Sequence, residues 1–190
     1  MKKYIYVLLF SLVFISGCVH NNYDNDQFKS IPAFYKVNNG LYRGGEPDMD
    51  GLMRLQNMNI KTIVSFQQDS DDVNNERAMV HAFGMEFYNI PMSAYERPTD
   101  EQVLEFLDIV TNKNNLPVFA HGASGRDITG AMIAMYRVVV ESWTIKEAYQ
   151  EAKSLGFWPY KGDAELKAFI HQLKDKDAYF IKVGRKPIGP

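Results

Sequence analysis

The sequence predicts one α/β domain over residues 31–183, with a mainly parallel sheet flanked by helices. Three observations predict it. Short apolar runs, the β-branched 60–66 and the stretch 116–120 among them, alternate with amphipathic stretches that begin at helix-capping residues. Strands and helices in strict alternation imply parallel strands with helices covering both faces. A length of 190 residues with 46% hydrophobic content supplies one core rather than two.

The elements follow in order. Residues 34–37 and 41–43 read as a hairpin around Asn38-Asn39-Gly40, whose Asn-Gly pair is a turn dipeptide that tolerates positive φ. Pro47-Asp48 opens a helix whose apolar side is Leu52, Met53, Leu55 and Met58. Residues 60–66 form a buried-type strand, 72–83 a helix ending near Gly84, and 86–90 a short strand closed by Pro91. Thr99 with Gln102 is a capping box heading a helix to about Val110. The strand 116–120 passes through a glycine-bearing loop to an apolar helix over 129–140. Thr144 with Glu147 is a second capping box, heading a helix to Leu155, and a last helix runs over 163–173. Residues 184–190 form a C-terminal tail.

The N-terminus reads as an address. Lys2 and Lys3 precede an apolar run over 4–14, too short to span a bilayer, which leads to Ser16-Gly17-Cys18. This order resembles a bacterial lipobox. Residues 1–17 are then a lipoprotein signal peptide, Cys18 is acylated, and 18–30 is a polar tether. The implied partner is a lipid bilayer, each buried methylene contributing about 0.8 kcal/mol. The implied location is the cell envelope, on the periplasmic face of the outer membrane or at the cell surface of a Gram-negative host. Loss of Lys2 and Lys3 with the leader takes the net charge from −2 to −4, and no basic stripe exists to hold a nucleic acid.

The loop is His121-Gly122-Ala123-Ser124-Gly125-Arg126-Asp127-Ile128-Thr129-Gly130. A tight strand-to-helix turn aims backbone N–H groups at one point, where the positive helix end makes an anion site. The loop resembles the signature of the protein-tyrosine and dual-specificity phosphatase superfamily: His-Cys, two residues, Gly, two residues, Arg, Ser or Thr, Gly. His121, Gly125, Thr129 and Gly130 fall in register, and Asp127 matches the Asp that often precedes the signature arginine in the bacterial dual-specificity-like branch. Leu41-Tyr42-Arg43-Gly44-Gly45-Glu46-Pro47 resembles that branch's "Leu-Tyr-Arg-Ser-Gly-Gln-Pro" opening. Residues 60–66 resemble its "Ile-Lys-Thr-Val-Ile-Asn-Leu" strand, and the resemblance continues in order to about residue 170.

Two departures bear on activity. Gly122 stands at the position of the family's nucleophilic cysteine, and Ile128 at that of its arginine. The resemblance implies a thiolate that attacks phosphorus and a guanidinium that grips two phosphoryl oxygens. Glycine has no side chain to attack with, and isoleucine has no donor; each missing charge-assisted hydrogen bond removes roughly 1.5–3 kcal/mol of ligand binding. Cys18 is the one cysteine in the sequence, so no thiol in the domain replaces it. Ser124, two positions along, needs a base; Arg126 occupies a variable position; Asp127 reads as a brace of the loop or a residue of its entrance.

The family takes its general acid from the loop before the preceding helix. Here that segment is 91–98, and Glu96 is its one acid, open to two readings: a general acid or a solvated loop glutamate. Asp69-Ser70-Asp71-Asp72 reads as a helix-start cluster. His20, His81 and His171 have no metal-ligand spacing, and no metal or cofactor is predicted. The expectation is a pseudophosphatase that keeps a weakened site for a phosphorylated protein or small phosphate ligand. The alternatives are an active phosphomonoesterase acting on phosphotyrosine, phosphoserine or inositol phosphates, by an unconventional nucleophile or in a parent that differs at 122 and 128, and a non-catalytic protein-binding module.

Overall fold

The structure, a computed structural model, describes residues 29–93, 95–158 and 168–170. The leader at 1–17, Cys18, the tether up to residue 28 and the tail at 184–190 lie outside the described residues. Of the last predicted helix, residues 168–170 are described and are helical.

Strand β1 (Tyr35–Lys36) pairs antiparallel with β2 (Leu41–Gly44). The hairpin turns at the predicted place but by another geometry: neither Asn39 nor Gly40 takes a positive φ, and Asn38 Oδ1 accepts from the Gly40 N–H at 2.8 Å, closing an Asx-type turn. Helix α1 (Met49–Asn57) starts where Asp48 accepts from the Gly51 N–H. Its buried side is narrower than the spacing suggested. Leu52 and Leu55 are fully buried, but Met53 is 46% exposed and Met58 half-buried. Residues 52 and 55 lie one turn apart on one stripe, and 53 falls about 100° away from 52.

Strand β3 (Thr62–Ser65) is followed by α2 (Asp71–Ala82), whose N-cap is Ser70. The acidic run is thus a helix start, with Asp71 and Asp72 favourably placed in the positive first turn. Then come β4 (Glu86–Asn89) and α3 (Asp100–Thr111), where Thr99 and Gln102 form the expected capping box. Two boundaries around the loop differ from expectation. Strand β5 is Val118–His121, because Pro117 has no N–H for the ladder and pairing continues through His121. Helix α4 (Asp127–Val139) begins two residues early, which places Asp127 and Ile128 in its first turn. Helix α5 (Ile145–Ser154) follows, capped by Thr144 and Glu147.

The sheet order is β1-β2-β5-β3-β4, and every pairing except β1 with β2 is parallel. Alternation along the strands divides the core. Leu41, Val64, Val118 and Ala120 face the side covered by α3, α4 and α5; Ile63 and Phe119 face α1 and α2. Arg137 joins α4 to α5 by a fork to both Glu151 oxygens at 2.6 and 2.9 Å. Strand β5 sits centrally with parallel neighbours on both sides, so the turn after it opens at the carboxyl end of the sheet, where α/β folds place ligands.

Candidate functional site

The loop runs from Gly122 to Arg126 and lines a cleft of about 480 Å³ with Phe66, Gln67, Met92 and the first turn of α4. Its shape is enforced by the segment that follows β2. Gly125 has φ +71, and a side chain there would overlap the backbone of Gly44 and Gly45. Glu46 N–H donates to the Ala123 carbonyl at 3.2 Å, and Arg43 Nη2 donates to the Gly125 carbonyl. The Leu41-to-Pro47 motif therefore acts as a cradle for the loop.

Arg43 is fully buried, and its Nε and Nη1 have no hydrogen-bond partner among the described residues. Burial pushes its guanidinium down to about 10, a shift that the charges of Glu151 and Tyr35 only partly offset. It stays charged at neutral pH and puts positive potential behind the loop.

Helix α4 has Arg126 as N-cap, and the Arg126 side chain makes no cap hydrogen bond to the first-turn N–H groups. Those amides and the positive end of a 13-residue helix favour an anion in the cleft. His121 closes β5 beneath the loop. Its Nε2 lies 2.8 Å from Glu76 Oε1 on α2, and both side chains are buried. The contact has ion-pair distance without aligned hydrogen-bond geometry.

Gly122 is buried and borders a small hollow in the cleft wall. A Cβ there would meet a single atom within 4 Å, Thr129 Oγ1 at 3.3 Å. Ile128, at 8% exposure, packs into the core beneath α4. Its burial contributes about 1.5–3 kcal/mol to folding. That matches in size the bond to a phosphoryl oxygen that an arginine would supply. The isoleucine thus favours the fold where an arginine would favour the ligand.

The remaining predicted residues are placed as follows. Ser124 is exposed, and its Oγ accepts from the Arg126 N–H at 3.3 Å. Arg126 is exposed and lays its stem over Gly156, where a Cβ would lie 3.2 Å from Arg126 Cδ. Asp127 is half-buried and attracts the Arg43 charge. Ala123 is exposed on the cleft wall, and Gly130 packs close to Phe157. Glu96 is exposed and is not among the cleft-lining residues; Met92 is the residue that its segment contributes to the wall.

Residues 24–169 match the model of a family described as a DSP-PTPase phosphatase fused to NAD+ kinase. The chain belongs to this dual-specificity phosphatase family. It is 31% identical over 146 residues to the dual specificity protein phosphatase TpbA of Pseudomonas aeruginosa, covering 76% of this chain and 60% of that protein. It is 30% identical over 129 residues to the inositol diphosphatase DSP4 of Arabidopsis thaliana, covering 62% of this chain and 61% of that one. The chain therefore spans about three-fifths of the length of these curated relatives. The crystal structure of P. aeruginosa TpbA superposes with a TM-score of 0.67 at 28% identity, over 81% of this chain and 92% of that one. The catalytic core of the S. cerevisiae PP-IP phosphatase SIW14 shares the fold, with a TM-score of 0.67 at 22% identity over 80% and 93% of the two chains.

Within the phosphatase fold, sequence reasoning placed Arg43 and Gly45 in a resembling motif without their contact to the loop, and missed Glu76. Arg43 and Gly45 act on the loop across a long sequence separation, which no local pattern encodes. Glu76 had a local sign: it shares the buried stripe of α2 with Val73 and Val80, at helical spacing.

Proposed function

We propose that this chain is a pseudophosphatase of the cell envelope, anchored through Cys18, whose loop binds a phosphoryl group without turning it over by the cysteine route. The observation that carries the reading is Gly122 at the nucleophile position, with Ile128 folded into the core at the arginine position. The loop amides, the uncapped end of α4 and the buried Arg43 charge support retained affinity for an oxyanion. The ligand classes follow from the relatives: a phosphotyrosine-bearing protein, since one solved TpbA complex holds phosphotyrosine, or an inositol phosphate, since others are inositol diphosphatases.

The test is hydrolysis of a phenyl phosphate and a phosphotyrosine peptide by the purified protein. The wild type stays at background. Gly122→Cys combined with Ile128→Arg recovers turnover, because a side chain at 122 meets just one neighbouring atom. Robust wild-type turnover abolished by Ser124→Ala or Asp127→Ala overturns the reading. The anchor is tested separately: incorporation of labelled palmitate is lost in Cys18→Ser, and a Cys18→Ser protein still labelled and membrane-bound excludes lipidation at that residue.

A further inference from the structure

We infer that Thr129 is a direct ligand contact, its hydroxyl binding one oxygen of a tetrahedral oxyanion that sits in the hollow left by Gly122. The inference deepens the proposed function and rests on its claim that the loop holds a phosphoryl group.

Thr129 is 1% exposed, and its Oγ1 has no hydrogen-bond partner among the described residues. Buried hydroxyls are ordinarily paired, so an orphan at a cleft calls for a partner from outside the chain. The hydroxyl is aimed at the empty place beside Gly122. An atom at the Cβ position there lies 3.3 Å from Thr129 Oγ1 and touches nothing else within 4 Å. Gly122 and Thr129 both line the cleft that the loop surrounds, so the hollow is continuous with the space above the loop amides. A ligand oxygen entering it comes within hydrogen-bond range of the hydroxyl, which donates to an acceptor-only oxygen.

The location favours a charged oxygen. Helix α4 offers its first turn without a side-chain cap, and Thr129 lies in that turn. Ile128 supplies no fork, so orientation falls to the amides and to this hydroxyl. The three other oxygens, or the ester substituent, face the mouth. The ligand is thus a phosphomonoester or free phosphate seated deeper than a side chain at 122 would allow.

The test is calorimetric titration of the full-length protein with inorganic phosphate and with orthovanadate. Four proteins are compared: wild type, Thr129→Val, Thr129→Ser and Gly122→Ala. Thr129→Val is expected to lose about tenfold in affinity or more, the factor carried by a hydrogen bond to a charged group. Thr129→Ser keeps the hydroxyl and stays within about twofold of wild type. Gly122→Ala fills the hollow with a methyl and weakens binding comparably to Thr129→Val. It also guards against a misfolded Thr129→Val, since Gly122 is not at a positive φ and its new Cβ meets one atom only. Wild-type affinity in both Thr129→Val and Gly122→Ala sinks this inference and leaves the oxyanion site standing. No binding of either probe by the wild type sinks both.

Discussion

The Nε2 atom of His121 lies 2.8 Å from Oε1 of Glu76, and both side chains are buried. The contact ties the last residue of β5, just before the loop, to helix α2. Neither carboxylate oxygen has an aligned donor among the described residues, so the pair depends on itself. Removing one member of a buried pair strands the other. Glu76→Ala should destabilise by about 3–5 kcal/mol, while Glu76→Leu with His121→Phe should be close to neutral. Urea unfolding measures both. A Glu76→Ala protein as stable as wild type would show that the pair does not brace the loop.

A second prediction concerns Arg43, which is fully buried and, among the described residues, gives one hydrogen bond, to the Gly125 carbonyl. Burial lowers its guanidinium to about 10 against an ordinary 12.5. A cation with a lowered folded value is charged in both states below about pH 10, so the penalty of burying it is fully present at pH 7. It is relieved only as pH rises through the folded value. The penalty is on the order of 3 kcal/mol. Arg43→Met keeps the stem, removes the charge and forfeits one hydrogen bond of about 1 kcal/mol. It should therefore leave stability unchanged or raise it by up to about 2 kcal/mol, yet weaken phosphate binding by removing positive potential behind the loop. Chemical denaturation at pH 7 and phosphate titration check the two halves. A strongly destabilised Arg43→Met would mean that the Gly125 bond, and not the charge, governs this residue.

Legibility in the sequence tracked the range of the interaction. Asp48, Thr99 and Thr144 cap the helices where they were read, because a cap bonds amides two or three residues away. The place of the hairpin was legible for the same reason, whereas its closure by the Asn38 side chain was not. The start of α4 was misplaced because its N-cap, Arg126, makes no side-chain cap bond. The end of β5 was misplaced because His121 is held in the ladder by Ser65 and Gly44, distant in the chain. Gly122 and Ile128 were recognisable by register within the motif. The role of Arg43 was not, since its acceptor at Gly125 lies 82 residues away.

The last prediction is a pH dependence at the start of α5. Thr144 Oγ1 donates to Glu147 Oε2 at 2.6 Å, the Thr144 N–H donates to the same oxygen at 2.9 Å, and the Glu147 N–H returns to Thr144 Oγ1. The hydroxyl bond first, and the backbone bond after it, hold the Glu147 carboxyl below its usual range. A carboxylate with a lowered folded value contributes stability that is present above its unfolded value of 4.5 and lost as pH falls through the folded one. Glu147→Gln retains a capping-box side chain without the ionisation. Wild type should therefore be the more stable of the two at pH 7, and the gap should close as pH falls below 4.5 and through the lowered folded value. Thermal unfolding of both proteins across that range measures it. A gap that holds constant or widens on acidification would show that the ionised carboxylate is not what secures this helix start.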